Sequence, residues 1–197
     1  ALRKFAPEIE VVASPQIVQR LSDKGFLEEA YDKNLACAQA MNRELEVSKE
    51  EWLSAFEVNR VMGDGDTLDL GDSVTVKLIH CPGHSEDSTA YYIKSESALA
   101  AGEAVGAYYG RDKLFPCFSY DYESYVKSLD KLSALDVSFV SLPHNGALSG
   151  GLSQQFLLDQ HMVAENFYKM IRERLAHGET VEEISASILP EWQAEHI

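Results

Sequence analysis

Apolar positions along the chain change their spacing from one stretch to the next, and each spacing predicts its own element. Glu8–Ala13 is a short β-branched run that reads as a buried strand. Ser14-Pro15 then pairs an N-cap with a proline at the first helical position and opens a helix through Leu21. From Gly25 to Phe56 apolar residues recur at three- and four-residue steps, with Leu27, Ala30, Tyr31, Leu35, Ala38 and Met41 on one helical face. Ser48-Lys-Glu-Glu51 has the form of a capping box and starts a further helix carrying Trp52, Leu53 and Phe56. Ala1 to Phe5 resembles the last turn of a helix.

The turn-rich Met62–Asp66 segment ends this helical part. Behind it, Thr67–Leu70, Ser73–His80, Thr89–Ile93 and Ala98–Ala101 are short strands separated by turns, the spacing of a β-meander. His80 shares a strand face with Leu78 and is expected in the core or under a helix. Tyr122–Leu135 predicts an amphipathic helix with Tyr125, Leu129 and Leu132 inward, and Val137–Ser141 one more strand. Ser153 is the expected cap of a long helix from Gln154 to Ala176, whose Phe156, Phe167 and Ile171 face should pack near the aromatic segment 108–122. His177-Gly178 ends that helix. Thr180-Val-Glu-Glu183 caps a last one to Ile188, which Pro190 is expected to stop.

Composition narrows the function. In 197 residues there are 17 Lys+Arg against 32 Asp+Glu, a formal charge of −15. Such a surface repels phosphate backbones and anionic lipid, which disfavours nucleic acid and membranes as partners. Apolar stretches are too short to span a bilayer, and Ala1–Ala6 has no apolar region of secretory type behind its basic pair. Cys37, Cys81 and Cys117 are odd in number, widely spaced and without a CxxC, which argues against a disulfide framework or a thiolate zinc site and suits the cytoplasm.

Three loops carry candidate chemistry: Cys81-Pro-Gly-His84, Ala101-Gly-Glu103 and Leu142-Pro-His144-Asn-Gly146. Each follows a strand and sets a histidine or carboxylate beside a glycine, an arrangement that can deliver ligands from a rigid scaffold to one metal centre. Two histidines and a carboxylate suit zinc, iron or manganese.

In this order the loops resemble those of the metallo-β-lactamase superfamily, through "DLGDSVTVKLIHCPGHSEDSTAYYI", "SALAAGEAVG" and "SFVSLPHNGALSGG". The resemblance implies an α/β fold: the αββα sandwich, mostly its second half, over residues 1–151, with a C-terminal helical extension over 152–197. It implies His84 as a ligand of a first metal, Glu103 at the bridging position usually held by Asp, and His144 as a ligand of a second, the pair being two zinc ions, with iron or manganese as alternatives. Asp87 is the expected partner of His84's other nitrogen. Tyr108, Tyr109, Phe115, Phe118 and His161 are the expected substrate pocket, with packing as the alternative for the aromatics and a helix–helix contact for His161. The His84 loop and the Gly178–Glu183 segment are similar to those of the quinolone-signal response protein, which carries a helical cap.

The family's HxHxDH motif is absent from these residues, so the expectation is a chain lacking the N-terminal half of the site. In the intact protein the implied function is metal-dependent hydrolysis of a small ester, thioester, lactone or phosphoester. A binding or regulatory protein with weak or no catalysis is the alternative, and a homodimer is left open. A complete protein of half-fold architecture without metal is the least favoured, because it leaves strands uncovered.

Overall fold

The computed structural model describes residues 6, 8–110 and 113–193, the last five as backbone only; the helical turn expected at residues 1–5 lies outside them. The strand expected over Glu8–Ala13 shrinks to β1 (Val12–Ala13), paired in parallel with β2 (Arg60–Val61). Val11 instead receives the Asn59 backbone amide on its carbonyl and donates its own amide to Asn59 Oδ1, both at 2.9 Å. Three helices follow β1. In α1 (Pro15–Leu21) the Ser14 hydroxyl accepts from the Ile17 amide, as a cap should. In α2 (Lys24–Ala40) the expected apolar stripe is only partly covered: Leu27 is buried, Ala30, Tyr31, Leu35 and Ala38 are half-buried, and Met41, just beyond the helix, is 61% exposed. Its main partner is the short α3 (Lys49–Ser54), whose Trp52 donates to the Leu27 carbonyl at 3.2 Å and meets Tyr31 edge-on. A two-turn helix cannot cover five turns. The capping box at Ser48 and Glu51 is complete in both directions.

The frame of the molecule is a six-stranded sheet. β3 (Thr67–Asp69), β4 (Thr75–His80), β5 (Thr89–Ile93) and β6 (Ala98–Ala100) form the expected antiparallel meander. The chain then leaves the sheet through a 3₁₀ turn (Gly102–Val105), a small hairpin of β7 (Ala107–Tyr108) and β8 (Leu114–Phe115), and α4 (Tyr122–Ser133). It re-enters as β9 (Phe139–Ser141), parallel to β6, a pairing that requires such a crossover. β10 (Ala147–Ser149) returns antiparallel beside it.

Helix α4 and the long α5 (Gly151–Ala176) pack together over one face of this sheet. Their contact with the strands encloses the core, with Ala90, Tyr92, Leu99 and Val140 from the sheet against Tyr125, Leu129, Leu132, Phe156 and Leu157 from the helices. Side chains alternating onto the other face are less covered: Tyr91 and Ile93 are half-buried and Phe139 is 43% exposed.

Two boundaries differ from expectation. Ser153 does not cap α5; it lies buried inside the first turn, and Gly150 precedes the helix with its amide bonded to the Ser138 carbonyl at 2.7 Å. That tie to the strand sets where the helix starts. The last helix, α6 (Val181–Gln193), runs through Pro190 rather than ending before it. A proline deletes one i→i−4 bond, and a helix can continue past that loss.

Candidate metal centre

Each of the three loops is shaped by its own backbone bonds. In the first, the Cys81 amide donates to the Ser88 carbonyl at 2.8 Å, and the Ser85 amide to the Ser88 hydroxyl at 3.1 Å. His80 closes the loop from outside, its ring Nε2 meeting the Glu86 carbonyl at 2.8 Å, so it is a strut rather than a metal ligand. Glu103 rides on the 3₁₀ turn. His144 sits beside Asn145, which holds φ +64° and donates from its amide side chain to the Tyr108 carbonyl at 3.0 Å.

The fold brings His84, Glu103 and His144 together in a line. His84 Nε2 stands 2.7 Å from Glu103 Oε2, and His144 Nε2 stands 3.2 Å from Glu103 Oε1. The three side chains thus meet at the Glu103 carboxylate, while among the described residues no three His, Cys, Asp or Glu side chains are grouped to hold a single metal ion. The cause is the glutamate itself, whose two oxygens each face a different histidine.

His84's other nitrogen settles its hydrogen bonding. Nδ1 lies 2.9 Å from the Cys117 carbonyl, which only accepts, so Nδ1 carries a proton and donates. Nε2 then faces a carboxylate oxygen, and two acceptors at that distance need a cation between them, a proton or a metal. The expected partner Asp87 is elsewhere: it is ion-paired to Arg20 of α1, whose guanidinium also lies over the Phe26 ring. The thiols are poor ligand candidates as they stand. Burial pushes the Cys117 thiol up to about 11, with the Glu103 charge adding to it, and burial pushes Cys81 up to about 12. Near neutral pH both stay protonated, and it is the thiolate that binds metal.

The donor set fits a pair of ions sharing one carboxylate. Two ligands on the same ion, each about 2.0–2.2 Å from it, stand roughly 3 Å apart, which is the spacing on either side of Glu103. Beside His84 and Glu103 opens a cleft of about 280 Å³ walled by Ile17, Ser85, Asp87 and Tyr91.

The expected aromatic pocket is not part of this cleft. Tyr108 packs edge-on against Phe156, while Phe115 and Phe118 pack against Phe167. Tyr109 closes the β7–β8 hairpin, its amide donating to the Lys113 carbonyl. His161 pairs with Asp130 across α4 and α5 at 3.2 Å and does not reach the centre. Tyr108, Phe115, Phe118 and His161 hold the C-terminal helix to the domain, because apolar rings beside an amphipathic helix bury more area against it than at an open mouth.

The sequence profile described as the metallo-beta-lactamase superfamily matches residues 27–144, more than half of the chain. The chain belongs to this superfamily. An uncharacterized protein of Mycobacterium leprae (strain TN) is 34% identical over 96 residues, which is 47% of this chain and 43% of that protein. Among solved structures, an archaeal metallo-beta-lactamase superfamily protein from Sulfolobus tokodaii is similar with a TM-score of 0.53 at 19% identity, over 78% of this chain and 57% of that one. A double mutant of a sec-alkyl sulfatase is similar with a TM-score of 0.55 at 15% identity, over 95% of this chain and 32% of that one. At these identities the structures speak for the fold alone. The chain spans less than two thirds of each of these relatives. Helices α5 and α6 lie beyond the matched residues.

Proposed function

We propose that the chain carries one side of a two-ion hydrolytic centre, with His84 and Glu103 serving one ion and Glu103 and His144 the other. One observation carries this reading: a single carboxylate faces an imidazole Nε2 with each of its oxygens. When bound, a pair of divalent ions supplies Lewis acidity and a water acidic enough to ionise near neutral pH. Zinc is the first choice for this donor set, and iron or manganese the alternatives.

The chain's own residues prepare the rest. Glu103 contributes negative charge that offsets part of the ions' charge, and the Cys117 carbonyl keeps His84 turned toward it. His144, 62% exposed, leaves its side of the centre open to solvent and substrate. The adjoining cleft has room for a small molecule, and the Ser85 and Tyr91 side chains that wall it can hydrogen-bond one. A small ester, thioester, lactone or phosphoester is the substrate class we assign. Each ion has here two of the three protein ligands that catalytic zinc ordinarily takes. In the family the remaining ligands come from an HxHxDH motif, which these 197 residues do not contain.

Metal content after dialysis tests this assignment on two proteins, the 197-residue chain and one extended at its N-terminus to include such a motif. The short chain should retain little zinc and hydrolyse nothing, and the extended one should retain up to two ions and cleave at least one member of an ester, thioester, lactone and phosphodiester panel. Two zinc ions retained by the extended protein after Glu103→Ala would remove the bridging role and the proposal with it.

A further inference from the structure

The loop that presents His84 rests against one fully buried residue. Tyr125, in the first turn of α4, is 0% exposed. Gly83 lies flat against it: a Cβ there would come within 2.3 Å of Tyr125 Cα, and its φ of +140° suits glycine alone. Gly106, in the loop after Glu103, approaches the same residue, and its Cβ would stand 3.0 Å from the Tyr125 hydroxyl and 2.4 Å from the Phe115 carbonyl. That hydroxyl accepts from the Cys117 amide at 3.4 Å. The same helix fastens the loop at two more points. The Tyr120 and Asp121 amides, just before α4, donate to the Gly83 carbonyl at 3.0 and 3.1 Å, and the Ser128 hydroxyl donates to the Pro82 carbonyl at 2.7 Å. Segments 106 and 115–117 thus meet at the phenol hydroxyl, while 82–84 lies against the backbone of the same residue.

We propose that Tyr125 is a positioning residue of the candidate centre. Its hydroxyl holds the Cys117 peptide, the Cys117 carbonyl holds His84 Nδ1–H, and His84 Nε2 is thereby aimed at Glu103. A metal-ligating imidazole needs an acceptor on its second nitrogen to hold the ring and its tautomer. Here that acceptor is a main-chain carbonyl between strand β8 and α4, and it stays in place only if its own peptide is held. Burial leaves the Tyr125 phenol un-ionised far into the alkaline range, so the anchor is constant across the working pH. The inference rests on the reading of His84 as a ligand for its use, but the relay from Tyr125 to His84 stands on geometry alone.

Nuclear magnetic resonance on the isotope-labelled chain tests it without metal or turnover. In the wild type, the His84 Nδ1 proton should show a coupling to the Cys117 carbonyl, and the Cys117 amide should exchange slowly with solvent. Tyr125→Phe keeps the ring and deletes only the hydroxyl. We expect it to speed Cys117 amide exchange at least about tenfold, toward the unprotected rate, and to abolish the His84 Nδ1–H signal. Far-UV dichroism and the Thr180–Glu183 cap resonances should not change. An unchanged His84 signal in the variant overturns the proposal. Should the variant not fold, the wild-type coupling decides: its absence overturns the relay. Adding zinc to the wild type separates the two readings. Zinc-induced shifts at His84 and His144 that weaken about 10–100-fold in the variant support both. No shift at either ring even in a large excess of zinc removes the metal centre, while the relay is judged on the couplings.

Discussion

Cys81 and Glu103 illustrate how a residue's meaning depends on what surrounds it. Cys81 is 0% exposed at the start of the His84 loop, and burial raises its thiol from 9.0 to about 12. An acid with a raised folded value keeps its proton in the native state after the unfolded chain has lost it. Stability is therefore undiminished below pH 9 and falls as pH rises from 9 toward 12, by up to about 1.4 kcal/mol per pH unit. Urea unfolding at pH 8 and pH 10.5 should show the wild type losing roughly 2 kcal/mol more than Cys81→Ala over that interval. Equal losses in the two proteins would show that the thiol titrates normally. Glu103 stood out as a ligand candidate through the resemblance of its loop to the family's. That each of its oxygens faces a different histidine is a matter of three-dimensional placement.

Among the elements, α5 was the most legible and also the most dependent on packing. Its length and apolar stripe are periodic features of the sequence, and Phe156, Leu157 and Ala164 do face the core. Its rings meet the aromatic segment as expected, with Phe167 against Phe115 and Phe118, and Tyr168 stacked on Tyr122 at 3.8 Å. Leu157 has no exposed surface. Its replacement by alanine should cost about 2–5 kcal/mol, the range for a buried leucine that leaves a cavity. Denaturant unfolding measures this directly, and a loss under 1 kcal/mol would mean that α5 is an appendage the domain does not need. By contrast, α2 has the same periodicity with little buried behind it. Periodicity announces a face; it does not say whether anything covers that face.

Taken whole, the molecule carries −15 and places few cations among its acids. Ion pairs such as Arg20–Asp87, Lys131–Asp64 and Arg174–Glu179 join separate elements or turns, but 15 acidic charges have no cation to match them. Self-repulsion should dominate, so raising NaCl from about 10 to 150 mM, which shortens the screening length from roughly 30 to 8 Å, should raise Tm. A lower Tm at high salt would mean that the ion pairs outweigh the repulsion. At this scale the sequence by itself determined the strand meander, the caps at Ser14, Ser48 and Thr180, and the three loops that carry His84, Glu103 and His144. Each of these is a local matter of hydrogen-bonding side chains, alternation or turn chemistry. Tertiary structure alone decided that Asp87 turns to Arg20 and His161 to Asp130, and that the aromatic segment is packing rather than pocket. It also decided that the support of His84 is a backbone carbonyl. Every residue has such a carbonyl, so no residue type marks the one that matters; only the approach of distant segments to Tyr125 selects it.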